Sequence, residues 1–326
     1  MNISSLFKTK FSPAAILIAA ALPVAVVAQW PTYTPPGTPR TADGKVDMNA
    51  PAPRLANGKP DLSGLWTGVG RGGPPAGGGL GGAPVEGAPA AGRGGPPAGA
   101  AAGGPPAGAP AAAAAGRAGR GAAAAAPGTI PAANYINLGG QFEGGLLPYT
   151  PAGLKLRTER FNRHSIDHPD AHCLPINPIH IWGHPQPRKL VQTPNELVFI
   201  AEANSVVRQI FTDGRTLPKV EDVQPWWFAY SVGKWEGDTL VVDTIGFLDD
   251  AWIDENGSPL SNGAHLTERF TRPNYGSLHV EMTVTDPKFY TRPFTVQVNQ
   301  QLMPSDQLIE FICAENNKAA EHYSPK

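Results

Sequence analysis

The chain has 326 residues, 38 of them glycine and 36 proline, and a formal net charge of −1. This near-neutral balance lacks the basic excess typical of nucleic-acid binding, so no nucleic-acid partner is predicted. After the N-terminal segment, no apolar run approaches the roughly 20 residues of a membrane-spanning helix, so no span is predicted in the mature chain.

The first 28 residues have the pattern of a cleavable secretory signal. A short polar stretch with two lysines precedes an uncharged run from Ala14 to Ala28, and compact residues at 26–28 come just before Gln29. The alternative is a membrane anchor, but the run is short for a spanning helix. We therefore predict a signal peptide at residues 1–28 and a periplasmic or secreted protein.

Two changes in composition divide the rest of the chain. Residues 71–127 are almost entirely Gly, Ala and Pro and contain no aromatic residue, which predicts a disordered linker, because such a segment buries too little apolar surface to order itself. Residues 29–70 form an N-terminal extension, in which a strand centred on Leu65 and Trp66 must dock on the main domain. Residues 128–326 are long enough for one domain, predicted to be a β-barrel.

This domain begins with a predicted helix. Thr150 followed by Pro151 supplies a capping residue and a first-turn proline, and the helix should run to about His164. Five prolines then interrupt residues 165–188, so this segment is predicted to be an ordered loop without regular structure.

From Lys189 onward the pattern is one strand after another. Short apolar or alternating runs are separated by turn signals such as Glu236-Gly237-Asp238. The fold class predicted from this pattern is all-β: an antiparallel meander, closed into a lipocalin-like or calycin-like barrel, with one N-terminal helix. The predicted strands are Leu197–Ile200, Val206–Phe211, Phe228–Trp235, Thr239–Ile245, His265–Arg272, Ser277–Thr285, Phe294–Leu302 and Gln307–Cys313.

Alternation in two of these strands places polar side chains on one face. His279 shares a face with Glu281 and Thr283, and Gln297 shares a face with Thr295 and Asn299. These faces either contact solvent or line a barrel interior that holds a ligand. Both alternatives stay open at the level of sequence.

The proline-rich loop is the densest collection of reactive side chains. Five of the eight histidines of the chain lie between His164 and His184, and neutral imidazole is a common ligand of transition metals. Their spacing matches no strong metal-binding motif, so solvated loop histidines are the alternative. No cofactor is predicted, and a divalent metal is the open possibility at His164, His168, His172, His180 and His184.

A second candidate site lies on the strand that begins at His265. There Glu268 falls among apolar neighbours, and a carboxylate in such company must be paired or have a raised pKa. One interpretation is an ion pair with an arginine from an adjacent strand. The other is catalysis, with His265 and Glu268 as acid and base of a lyase, isomerase or hydrolase.

An aromatic cluster within ten residues is the third candidate. Trp226, Trp227, Tyr230 and Trp235 either fill a barrel core or line a pocket for an apolar ligand. In the second case His279 and Gln297 would orient the ligand. The chain has no Gly-x-Ser-x-Gly nucleophile motif. It also has no phosphate-binding glycine loop and no dinucleotide fingerprint, which argues against phosphoryl transfer and nicotinamide chemistry.

The two cysteines, Cys173 and Cys313, would meet an oxidising compartment after export. Disulfides persist in such compartments, so we predict a bridge between them. Two buried free thiols are the alternative.

Several motifs together resemble an uncharacterised family of exported bacterial proteins. They are Asp61-Leu62-Ser63-Gly64-Leu65-Trp66, the ten residues from Trp235 to Thr244 and Leu266-Thr267-Glu268-Arg269, and the resemblance covers residues 58–66 and most of 145–316. It implies export and a shared domain, and it carries no known catalytic residues. The linker and the insertion around Ile179–His184 depart from the family pattern.

The leading functional hypothesis is a barrel that binds an apolar or aromatic small molecule outside the cytoplasm. A secreted enzyme and an envelope protein tethered by the linker are the alternatives. The sequence gives no indication of the oligomeric state.

Overall fold

The structure is a computed structural model that describes residues 33–69, 130 and 137–315. The predicted signal peptide at 1–28 and the Gly/Ala/Pro linker at 71–127 lie outside these residues. Across the described ranges, no helix is both long and apolar enough to span a bilayer.

Two α-helices, eleven strands and five short 3₁₀ helices make up the regular structure of the described residues. The helices are α1 (Pro151–Asn162) and α2 (Pro178–Gly183). The strands are β1 (Gly64–Gly68), β2 (Arg188–Gln192), β3 (Glu196–Ala201), β4 (Val206–Phe211), β5 (Tyr230–Glu236), β6 (Thr239–Ile245), β7 (Ala251–Trp252), β8 (Pro259–Leu260), β9 (His265–Asn274), β10 (Ser277–Thr285) and β11 (Phe294–Leu302).

Nine of these strands close into a barrel, which confirms the predicted all-β barrel fold. Their order is β1-β11-β10-β9-β6-β5-β4-β3-β2, and β1 returns to β2. The prediction of a purely antiparallel meander is wrong in one place, because β4 and β5 pair in parallel. Residues 212–229 connect the end of β4 to the start of β5, and they return the chain along the barrel so that the two strands run in the same direction. The short β7–β8 hairpin lies outside the barrel sheet, between β6 and β9 in sequence.

The first strand completes the closed wall. Trp66 of β1 is opposite Leu302 of β11 on one side and Arg188 of β2 on the other. The guanidinium of Arg272 lies 4.9 Å from the centre of the Trp66 ring and donates hydrogen bonds to the carbonyls of Asp61 and Ser63. The barrel therefore includes residues on both sides of the predicted linker.

The predicted last strand, Gln307–Cys313, is wrong. These residues are irregular in the structure. The edge of β11 where another strand would pair is already occupied by β1. A strand contributed from the other end of the chain has displaced the local one, a long-range effect that a hairpin pattern does not reveal.

Side chains alternate between the interior and the exterior of the barrel along each long strand. In β10, Leu278, Val280, Met282 and Val284 are fully buried, and the residues between them are partly exposed. The polar faces that carry His279 and Gln297 therefore point outward. The interior is packed with apolar side chains, including Phe199, Phe270 and Trp66.

Both helices begin at a capped proline. The Thr150 hydroxyl accepts a hydrogen bond from the Gly153 amide at 3.1 Å, as the sequence predicts for α1. The prediction that residues 165–188 lack regular structure is wrong for α2, since Pro178 stands at its first turn, where proline is tolerated. The side chain of Asn177 caps α2 by accepting from the amides of Ile179 and His180.

A disulfide joins Cys173 to Cys313, as predicted, with the two Cα atoms 5.4 Å apart. The bond spans 140 residues of sequence. It ties the proline-rich loop to the irregular C-terminal segment.

Candidate functional site

The inner end of α2 places an indole inside the barrel. Trp182 is 1% exposed, and its ring makes edge contacts with Phe199 and Phe270, at centroid distances of 5.0 and 5.6 Å. Its Nε1 donates a hydrogen bond of 2.8 Å to Oε1 of Glu268. Arg188 holds the end of the helix by donating to the carbonyls of Trp182 and His184.

Glu268 belongs to a buried ion pair that crosses the barrel. Its carboxylate is fully buried and accepts two hydrogen bonds from the guanidinium of Arg208, which is 2% exposed. Arg208 also donates to the hydroxyls of Ser231 and Thr244. The arginine comes from β4, which lies three positions from β9 in the barrel order, so it is not on an adjacent strand. The guanidinium of Arg208 and the carboxylate of Glu268 are both hydrogen-bonded to buried partners, as buried charged groups must be.

The other residue of the predicted acid–base pair lies elsewhere. His265 is on the outer face of β9, where its Nε2 is 3.2 Å from Oδ1 of Asp243. Thr267 on the same face donates to that carboxylate at 2.8 Å. Successive strand positions alternate between the two faces, so His265 and Glu268, three positions apart, lie on opposite faces of β9. The structure therefore does not bring them together.

Three of the loop histidines form a buried group beside α2. His168, His180 and His184 are 5, 1 and 7% exposed. The ring centroids of His168 and His180 are 5.0 Å apart, and those of His180 and His184 are 6.3 Å apart. Oδ2 of Asp170 lies 3.5 Å from Nε2 of His184, and its Oδ1 accepts from Asn204.

Burial keeps two of these histidines neutral. It lowers the pKa of His168 to about 4, and it also lowers the pKa of His180 well below its ordinary value. The Nδ1 atom of His168 accepts a hydrogen bond from the Asp170 amide, which is possible only for an unprotonated nitrogen. The hydrogen bond with His184 holds the pKa of the Asp170 carboxyl down to about 2.

The structure separates the five candidate metal ligands. His164 and His172 are exposed, and His172 contacts the carbonyl of Ile166 instead of the buried group. Among the residues that the structure describes, no set of three or more His, Cys, Asp or Glu side chains is arranged to hold a metal ion.

The predicted ligand-binding residues are dispersed over the surface of the barrel. Trp226 is 52% exposed, and Trp235 is partly buried beneath Lys59. Tyr230 packs against Phe211. The exception is Trp227, which lines a narrow crevice together with Phe247, Pro169 and Trp252.

A larger cleft opens beside Trp252, a residue that the sequence analysis did not single out. Its volume is about 350 Å³, and its walls are Leu156, Glu159, Arg160, Arg163, Asp167 and Trp252. The guanidinium of Arg160 lies 4.4 Å from the centre of the Trp252 ring, and the His168 ring meets another side of that indole at 4.9 Å. The spacing of Leu156, Arg160 and Arg163 on one face of the predicted helix was the available signal, since residues four and three apart are neighbours.

Arg160 is held rigidly within this cleft. It donates to the carbonyls of Asp250, Ala251 and Gly257. Burial lowers its pKa to about 10, so the guanidinium remains charged at neutral pH.

Comparison with protein-family models, with curated proteins and with solved structures finds no match to this chain. The resemblance to an exported bacterial family therefore stays a prediction. Function must be argued from the geometry of the site alone.

Replacing Glu268 should be strongly destabilising. Glu268→Gln leaves the Arg208 charge buried without its counter-ion, which is expected to lower the free energy of unfolding by about 3–5 kcal/mol. Chemical denaturation measures the change. Glu236→Gln, which breaks the exposed Arg269–Glu236 pair, is the matched control and should have little effect. Equal effects of the two variants would contradict a central role for the buried pair.

Stability should fall in mild acid because of the buried histidines. Well above the ordinary histidine pKa of about 6.5, His168 is neutral whether the protein is folded or unfolded. As the pH falls from 6.5 towards 4, the unfolded chain binds a proton that the folded protein excludes, which costs about 3 kcal/mol. Denaturation curves across this range should show a smaller loss in His168→Asn, which keeps an acceptor for the Asp170 amide. In His164→Asn, at an exposed position, the loss should match that of the wild type.

Proposed function

We propose that the protein binds an apolar or aromatic small molecule in the cleft beside Trp252. The observation that carries this proposal is the cleft itself. Its volume of about 350 Å³ falls within the range of roughly 300–1,000 Å³ typical of small-molecule sites. The barrel is the scaffold, because the β7–β8 hairpin that carries Trp252 connects β6 to β9.

The composition of the cleft defines the class of ligand. Leu156 and Trp252 supply apolar surface, and a flat hydrocarbon or aromatic body would pack against them. Arg163 and Asp167 form an exposed ion pair at the cleft, and Glu159 adds a second carboxylate. A ligand with one polar or charged substituent fits this pattern, with its apolar part covered and its substituent among the charged groups.

The rigidity of the cleft favours binding. Arg160 is held by three backbone carbonyls and stacks on Trp252, so the wall that they form is already ordered before a ligand arrives. Association then costs less conformational entropy than it would on a mobile surface. The cleft lies apart from the barrel interior, which is filled by packed side chains.

Filling the cleft should abolish binding of an aromatic probe. We expect anilinonaphthalene sulfonate, an aromatic anion, to bind the wild type at one saturable site, with a rise in its fluorescence. Leu156→Trp places a large ring in the cleft and should weaken the affinity at least tenfold, which corresponds to about 1.4 kcal/mol.

Leu154→Trp is the matched control for this experiment. Leu154 lies on the same helix, is 41% exposed and does not line the cleft, so this variant should bind like the wild type. Circular dichroism in the near ultraviolet checks that all three proteins keep their tertiary structure, because loosened proteins also bind this dye. Unsaturable binding, or equal loss in both variants, would overturn the proposal.

We further propose that the protein acts outside the cytoplasm, with residues 71–127 as a spacer. Support comes from the Cys173–Cys313 bond, since disulfides persist mainly in oxidising compartments. When the full chain is expressed with its own leader in a bacterial host, the recovered protein should begin at Gln29 and gain the mass of two hydrogens on reduction. A product that retains residues 1–28 in the cytoplasmic fraction would refute export, as measured by intact-mass spectrometry.

A further inference from the structure

We propose that the interior of the barrel is a second binding site, specific for a flat aromatic compound with an N–H donor, and that Trp182 of α2 occupies it in this structure. The site is separate from the cleft beside Trp252. Its parts are the Glu268 carboxylate and the slot between Phe199 and Phe270.

The carboxylate is oriented before any aromatic donor reaches it. Arg208 donates to both oxygens of Glu268, and the hydroxyls of Ser231 and Thr244 accept further hydrogen bonds from the same guanidinium. These four residues belong to β4, β5, β6 and β9, so the wall of the barrel itself builds the acceptor. A carboxylate held this way is a strong hydrogen-bond acceptor, because charged acceptors form shorter and stronger bonds than neutral ones.

The slot has the shape of an aromatic ring. Phe199 and Phe270 meet the Trp182 indole edge to face, at centroid distances of 5.0 and 5.6 Å, and both are fully buried. The indole Nε1 donates a hydrogen bond of 2.8 Å to Oε1 of Glu268. Two apolar walls and one directed acceptor form a typical ligand site, in which the polar group selects the orientation.

Trp182, which fills the slot, lies on α2 and not on a strand of the barrel. The strand pairings that close the barrel run from β1 around to β2 without α2. Helix α2 has six residues, and prolines at 175, 178, 185 and 187 flank or begin it. Withdrawal of α2 would therefore leave the ring of strand hydrogen bonds intact and expose the slot and the carboxylate together.

Several contacts fasten α2, and a ligand must compete with them. Arg188 donates to the carbonyls of Trp182 and His184, and the side chain of Asn177 donates to the carbonyl of Trp252. Ile179 and Ile181 are also buried. An added ligand can bind the interior only in molecules in which this helix has moved away. The smaller the fraction of such molecules, the weaker the apparent affinity of the ligand.

Removing the indole should create a site that selects for the N–H group. In Trp182→Gly we expect indole to bind at least tenfold more tightly than benzothiophene, which has the same shape but no N–H donor; titration calorimetry measures both. Trp235→Gly, which removes a partly buried tryptophan from outside the slot, should bind the two compounds as the wild type does, without the gain in affinity for indole. Failure of Trp182→Gly to bind indole, or equal affinities for the two compounds, would overturn the assignment.

The wild-type protein tests whether the site is reached without mutation, and it keeps the proposal testable if Trp182→Gly does not fold. Saturating indole should accelerate amide hydrogen exchange of residues 178–184 several-fold and leave β10 unchanged. Benzothiophene should have a smaller effect. Unchanged exchange in α2 would overturn the proposal.

Leu156→Trp separates this site from the cleft. That variant fills the cleft, and it should still show the indole-induced change in α2. Loss of the response in Leu156→Trp would mean that indole acts from the cleft, which would count against an interior site.

Discussion

The buried ion pair between Arg208 and Glu268 constrains the arrangement of side chains inside the barrel. An ion pair inside an apolar barrel is stable only if the remaining donors and acceptors of both groups are also hydrogen-bonded. The hydroxyls of Ser231 and Thr244 accept hydrogen bonds from the Arg208 guanidinium, and the indole of Trp182 donates a hydrogen bond to the Glu268 carboxylate. The pair thus connects strands from across the barrel and also determines where α2 must dock.

The position of α2 in turn organises the outer surface at that side of the barrel. With Trp182 held inside, Asn177 reaches the backbone of Trp252, and His180 packs against His168, which contacts the Trp252 ring. Arg160 covers another side of the same indole. The cleft and the barrel interior are therefore linked by a short chain of direct contacts, and this chain contains the buried, neutral histidines.

The alternation of side chains predicts the closed barrel well, because a period of two is a local property of each strand. Long strands such as Ser277–Thr285 and Phe294–Leu302 are read from sequence with the bounds that the structure gives. Local patterns fail where a distant segment competes. Gln307–Cys313 has the appearance of a strand, but β1 already pairs with that edge of β11. The parallel pairing of β4 and β5 likewise depends on the path of a long connection.

The sequence alone predicts the fold class, the capped start of α1 and the Cys173–Cys313 bridge, and it predicts that Glu268 is either paired or has a raised pKa. Each follows from chemistry within a few residues or from the scarcity of cysteines. The three-dimensional structure was needed to show that Glu268 pairs with Arg208, that His265 faces away from it, and that Trp252 lines a cleft. These are contacts between residues far apart in the chain, and they are set by barrel closure and the docking of α2, which no local period encodes.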